Sequence, residues 1–87
     1  MHFNDLDVAS NDPRIAAAQY FATQGFFADY NARLDEPLKT ATEEVWGQKF
    51  DDPQKRAAAV AAAEKSDSPS SGKMRGEVLA ALFKKQP

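Results

Sequence analysis

Several residue types and sequence features are absent from this chain of 87 residues. It has no cysteine, which excludes disulfides, thiolate metal sites and cysteine nucleophiles. No apolar run approaches the roughly 18 residues of a membrane-spanning helix, so we expect no membrane span. The acidic N-terminus lacks the apolar segment of a signal peptide. Two locations stay open: the cytoplasm, or the cell envelope or exterior if this is a piece of a larger exported protein.

Positive charge is also scarce, since the formal net charge is −2. Nucleic-acid binding usually needs a basic face. The nearest approach to one is Lys73, Arg75, Lys84 and Lys85, which lie on one predicted helix. The lysines at its end suit the negative end of the helix dipole and are explained as a solvated face. We therefore expect no nucleic-acid partner.

The length allows one domain, residues 1–87, with a modest core. Much of the hydrophobic fraction of 43% is alanine, which buries little area per residue. A homo-oligomer, or docking onto a larger body, would bury more apolar surface. The composition thus favours a module that works in contact with another protein surface.

Helix-start signals divide the chain into two similar parts. Asp12-Pro13 and Asp52-Pro53 each place a capping aspartate before a proline at the first helical position. Thr40 to Glu43 reads as a capping box, and Ser71 can cap a last helix. The signals predict an all-α fold of four short helices in two helix-pair units, residues 3–50 and 51–87. Between the last two helices, residues 66–72 (SDSPSSG) predict a mobile turn.

The first predicted helix has a core stripe of Ile15, Ala18, Phe21 and Ala22 and should stop at Gly25. An aromatic turn follows it.

In that turn, Phe26 and Phe27 are expected to fill the gap between two helices. Tyr30 would cover them with its hydroxyl in water, or else contact a sugar or protein. Trp46, the single tryptophan, is expected to anchor the core or an interface, with a ligand platform as the alternative.

The order of these signals resembles an S-layer homology module. The resemblance rests on Phe3-x-Asp5, the apolar helix, Gly25-Phe26-Phe27-x-x-Tyr30, Pro37 and Thr40-x-x-Glu43, and it covers roughly residues 3–46. Residues 74–78 (MRGEV) resemble the T-R-A-E element of a second, abbreviated unit. Similar degenerate units occur near the C-termini of some large bacterial FAD-dependent oxidoreductases and other secreted proteins. The resemblance implies a structural or interaction role, as a C-terminal appendage or fragment of a larger protein.

The resemblance also implies a second candidate function, a carbohydrate-binding module for anionic cell-envelope glycan. Asp5, Tyr30, Trp46 and Arg75 would be the contacts with a ligand or partner. In the family, the arginine of T-R-A-E and a turn glycine help to line the glycan groove. Ala41 and Asp29 stand at those positions in the first unit, whereas the second unit keeps Arg75.

An enzyme is the third hypothesis, and a small adaptor of unrelated helical fold is the fourth. Catalysis needs a base beside a nucleophile or paired carboxylates in a cleft. The single histidine, His2, lies at the terminus, and Glu43 and Glu44 are explained by capping. The triplet Asp5-Leu6-Asp7 lacks the ligand spacing of a calcium loop. We expect no catalysis, no metal and no cofactor, and any flavin site of a parent protein would lie outside this chain, which has no glycine-rich dinucleotide fingerprint.

Overall fold

A computed structural model describes residues 3–7 and 9–86, and within them the chain forms four helices and two short strands. In chain order the elements are α1 (Pro13–Ala22), β1 (Pro37–Lys39), α2 (Thr40–Gly47), α3 (Pro53–Lys65), β2 (Ser70–Met74) and α4 (Arg75–Lys84). Each half therefore has the same order: a helix, a strand, and a second helix that follows the strand directly. Within residues 3–7 and 9–86, none of the helices has the length and apolar composition of a membrane-spanning segment.

The prediction of an all-α fold is wrong, because β1 and β2 form a two-stranded antiparallel sheet. Pro37 pairs with Met74 and Lys39 pairs with Ser70, with an irregularity between the two pairs. Residues 70–72, predicted as part of a mobile turn, belong to β2. Strands of three and five residues are too short to show clear alternation, and serine and glycine carry little strand preference. Each strand forms because it pairs with the other strand, more than thirty residues away in the chain.

The helix pairing also differs from the prediction of two hairpin-like units. α1 packs against α4, and α2 packs against α3. Each pair therefore joins a helix from residues 3–50 to a helix from residues 51–87. The two halves interleave instead of forming separate units.

The predicted caps of α1 and α3 are confirmed. The Asp12 carboxylate accepts a hydrogen bond from the Arg14 N–H at 2.9 Å. The Asp52 carboxylate accepts one from the Gln54 N–H at 2.8 Å. In both helices the proline stands where its missing N–H costs nothing.

The predicted caps of α2 and α4, the Thr40–Glu43 box and Ser71, are wrong. The N-cap positions are Lys39 and Met74, and neither side chain caps its helix. The free N–H groups are satisfied from the opposite half of the chain instead.

In α2, the Thr40 N–H donates to the Pro69 carbonyl at 2.9 Å, and the Ala41 N–H donates to the Ser68 hydroxyl at 3.3 Å. In α4, the N–H groups of its first two residues donate to the carbonyls of Glu36 and Leu34 at 2.9 and 2.8 Å. Each helix that follows a strand thus depends on the other half to complete its first turn.

Aromatic side chains form the centre of the core, as the sequence predicted for Phe26 and Phe27. The Phe21 and Phe26 rings stack at 4.4 Å between centroids, and Phe26 lies 5.4 Å from Trp46. The second half adds fully buried aliphatic groups, chiefly Val60 and Leu79. The predicted stripe of α1 is buried. In α4, Val78 and Leu79 are buried, whereas Phe83 is exposed.

Candidate functional site

The polar cluster with the most buried charge lies where the two strand–helix junctions meet. It lines a cavity of about 320 Å³, which we call the junction pocket. The residues that line it are Ala28, Asp29, Arg33, Glu36, Pro37, Lys39, Glu64 and Arg75. Both halves contribute, since the last two come from α3 and α4.

Arg75, a predicted contact residue, is 3% exposed. Its Nε donates to the Ala32 carbonyl at 3.0 Å, and one terminal nitrogen donates to the Glu64 carboxylate at 2.6 Å. The guanidinium carbon lies 5.3 Å from the centre of the Trp46 ring and 5.9 Å from that of Phe27. The aromatic core therefore surrounds a cation that is paired and hydrogen-bonded, the condition under which a buried charge is tolerated.

Glu64 completes the pair and was not predicted. One carboxylate oxygen accepts from Arg75, and the other accepts from the Thr42 hydroxyl at 3.0 Å. Thr42 itself is fully buried in α2. The side chains of Thr42, Glu64 and Arg75 therefore connect α2, α3 and α4.

The positions of Glu64 and Arg75 at the ends of their helices are a signal for this pair that is present in the sequence. Glu64 is the penultimate residue of α3, and Arg75 is the first residue of α4. An anion near a helix C-terminus and a cation at a helix N-terminus are each disfavoured by the helix dipole. Two charges that both oppose their own helix can stabilise each other when the two ends meet.

Lys39 closes one side of the junction pocket. Its ammonium group donates to the carbonyls of Glu64 and Ser66 at 2.6 and 2.8 Å. These carbonyls lie at the end of α3, where a cation complements the negative pole of the dipole. The lysine of β1 thus caps a helix of the other half.

Asp29 and Arg33 occupy the outer side of the pocket as an ion pair with two hydrogen bonds, each of 2.9 Å. Hydrogen bonding to Arg33 lowers the pKa of the Asp29 carboxyl, and the same contact raises the pKa of Arg33.

The other predicted contacts, Asp5, Tyr30 and Trp46, do not line this pocket, although Trp46 lies against Arg75. The Asp5 carboxylate accepts hydrogen bonds from the Ala32 and Arg33 N–H groups at 3.0 and 2.8 Å. It thereby holds the loop at Arg33, whose φ of 54° lies in the left-handed region. Asp5 and Arg33 also line a neighbouring cleft of about 410 Å³. We assign Asp5 the role of a loop clamp.

Tyr30 is 60% exposed, as expected for a hydroxyl in water. Trp46 is 3% exposed, and its indole N–H donates to the Phe26 carbonyl at 2.9 Å. Trp46 therefore lies in the core, one of the two anchor positions predicted for it. Whether Asp5, Tyr30, Trp46 or Arg75 contacts a ligand or partner stays a prediction, and His2 lies outside the described residues.

The chain matches no protein-family model, no curated protein and no solved structure. The resemblance to S-layer homology modules therefore remains a prediction.

Proposed function

We propose that this chain is a non-catalytic structural or interaction module that works as part of a larger assembly. The observation that carries the proposal is that the charged groups of the junction pocket are bound to one another or to the backbone. Arg75 and Glu64 bind each other, Arg33 binds Asp29, and Lys39 binds two backbone carbonyls. Groups engaged in this way hold the fold together and are poorly placed for proton transfer or ligand exchange.

The size of the chain supports the same proposal. The small domain contains an alanine-rich helix, α3, of which only Val60 and Ala63 are buried. A chain of this length buries a smaller fraction of its surface than a larger domain does, and contact with a second body would add to its stability. The partner is the remainder of a larger parent protein, an FAD-dependent oxidoreductase if the resemblance holds, or a second copy of the chain.

Binding of anionic cell-envelope glycan is the alternative that the proposal must exclude. The junction pocket is lined by three acidic and three basic side chains, so it has no excess of positive charge. Each of the three cations already has a partner within the chain. Binding of an anionic sugar there would have to displace one of these contacts.

Cosedimentation with purified anionic cell-wall glycan tests the choice. We expect the wild-type protein to stay in the supernatant across a range of glycan concentrations. Asp29→Gly restores the family glycine and frees Arg33, so gain of glycan binding by this variant alone would fit our account. Saturable binding by the wild type, lost in Arg33→Gln, would contradict the proposal and establish the glycan function.

The intact mass of the protein isolated from its natural source tests the assignment to a parent. We expect a mass well above 9.5 kDa, or a stable complex that contains this chain. A free monomer of 9.5 kDa that captures no partner would contradict the proposed role in an assembly.

A further inference from the structure

A third cavity lies between the ends of α1, α2 and α4 and the start of α3. Its volume is about 230 Å³, and we call it the aromatic pocket. Phe21, Phe26 and Trp46 form apolar walls, and Arg56 supplies the charge. None of these four residues lines the junction pocket.

The charge of Arg56 is not matched by a carboxylate. Among residues 3–7 and 9–86, the arginines Arg14, Arg33 and Arg75 each form an ion pair, whereas Arg56 forms none. Its guanidinium carbon lies 4.9 Å from the centre of the Phe26 ring and 5.0 Å from that of Phe50. Aromatic faces attract a cation but do not neutralise it.

The hydrogen bonding of Arg56 is also incomplete. Two terminal nitrogens donate to the carbonyls of Gln24 and Gln48. The Nε atom is buried and has no acceptor within the described chain. A guanidinium has five N–H donors, so each terminal nitrogen keeps one N–H for a further acceptor. Burial lowers the pKa of Arg56, as expected for a cation removed from water without a counter-charge.

We propose that the aromatic pocket binds a small organic carboxylate, with the carboxylate on Arg56 and an apolar or aromatic body against Phe21, Phe26 and Trp46. An anion there would neutralise the partly desolvated cation and form charge-assisted hydrogen bonds with it. The pocket is smaller than the roughly 300–1,000 Å³ of typical sites for drug-sized ligands. The ligand class is therefore a single ring or short chain with one acidic group.

The test uses phenylacetate and its neutral isostere phenylacetamide as probes, titrated into the full chain and followed by two-dimensional NMR. Phenylacetate should shift the Trp46 indole N–H and the amides of residues 24–26 and 47–48 saturably. Phenylacetamide should bind at least about tenfold more weakly, because it lacks the negative charge that strengthens the hydrogen bonds to the Arg56 guanidinium. Equal affinities, or no saturable shift with phenylacetate, would overturn the proposal.

A matched pair of variants on α3 separates the effect of direct contact between Arg56 and the ligand from the effect of the overall charge of the protein. Arg56→Gln and the exposed neighbour Lys55→Gln each remove one positive charge. Binding of phenylacetate should fall at least about tenfold in Arg56→Gln and stay unchanged in Lys55→Gln. An equal loss in both variants would overturn the proposal. If Arg56→Gln does not fold, the comparison of acid and amide on the wild-type protein decides.

Discussion

The two halves of the chain follow one plan with different contents. Each begins with an aspartate-capped helix that has proline at its first position, and each ends with a strand that leads directly into a helix. The first half provides the aromatic cluster of the core. The second half provides aliphatic groups and the buried cation Arg75. The same order of elements therefore carries unlike side chains, and neither half holds a complete core.

The comparison of the two strand–helix junctions teaches how the halves depend on each other. At both junctions, the first N–H groups of the helix donate to atoms of the opposite half. The charged groups of the two junctions differ: Arg75, the first residue of α4, forms an ion pair with Glu64, whereas Lys39, directly before α2, donates to two carbonyls at the end of α3. Both junctions therefore have hydrogen bonds from the helix N–H groups to the opposite half, whereas the ion pair is found only at the second junction.

The largest loss of stability is expected from substitution of Arg75, because its ion pair distinguishes the second junction from the first. Arg75→Met removes the cation and leaves Glu64 partly buried without its partner. We expect a loss of about 3–5 kcal/mol in the free energy of unfolding, measured by urea denaturation. Arg33→Gln is the control, because it removes an arginine from a more exposed pair at the same pocket, and its cost should stay below about 1 kcal/mol.

A second substitution shows whether the loss comes from the unpaired carboxylate. Glu64→Gln in the Arg75→Met background removes the buried charge and should recover part of the lost stability. If the double variant is no more stable than Arg75→Met, the ion pair does not explain the effect.

Two glycines, one in each half, have left-handed backbone conformations but differ in how closely the neighbouring residues pack against them. Gly25 and Gly72 have φ values of 84° and 82°. A Cβ on Gly25 would lie 2.0 Å from the Pro53 carbonyl oxygen, whereas a Cβ on Gly72 would meet nothing within 4 Å. Both alanine variants should lose about 1–2 kcal/mol from backbone strain. Gly25→Ala should lose about 1–3 kcal/mol more, because α3 must move away.

Thermal or urea unfolding of both variants measures the difference. Equal losses would mean that the approach of α3 to the Gly25 turn contributes little to the contact between the halves.

A smaller effect is expected at Asp5, which acts within the first half. Asp5→Ala removes the acceptor of two backbone N–H groups at residues 32 and 33, and should cost about 1–2 kcal/mol. Asp7→Ala removes a single local bond to the Ala9 N–H and should cost less. Urea denaturation of both variants checks the order, and a larger loss for Asp7→Ala would contradict the clamp.

The smallest effect is the dependence of stability on acid. Hydrogen bonding to Arg33 and Arg14 lowers the pKa values of Asp29 and Asp12 in the folded state. Carboxyls with lowered pKa values stabilise the fold above their unfolded pKa, about 3.9, and this contribution is lost as the pH falls further. Stability from these groups should be constant above about pH 5 and decline below about pH 4.

The decline of stability at acid pH can be checked with the variant Asp29→Asn. Unfolding free energies measured from pH 7 to pH 2 should show a shallower decline in this variant than in the wild type. The same slope in both proteins would show that the Asp29–Arg33 pair does not contribute to the acid dependence.

Local signals in the sequence predicted the features that depend on neighbouring residues. The aspartate–proline caps, the α1 stripe and the burial of Phe26, Phe27 and Trp46 all follow from spacing within a few residues. The sheet and the helix pairing depend on contacts between residues far apart in the chain. No short pattern in Pro37–Lys39 or Ser70–Met74 identifies a partner, so the all-α prediction was wrong.

The candidate site was predicted in part for the same reason. Arg75 was identified through the resemblance, but its partner Glu64 lies in an alanine-rich helix that shows no motif. The position of each charge at the unfavourable end of its helix was a signal available in the sequence. It predicts that a partner is needed and does not say which residue provides it.

The central claim is that residues 3–50 and 51–86 complete each other and do not fold separately. The direct measurement is circular dichroism of two fragments divided in the loop after Phe50, alone and mixed at equal concentration. Because every strand–helix junction and both helix pairs cross the division, each fragment should show little helix alone. Mixing should restore the helical signal and a cooperative unfolding transition. A first fragment that is helical and unfolds cooperatively alone would contradict the account.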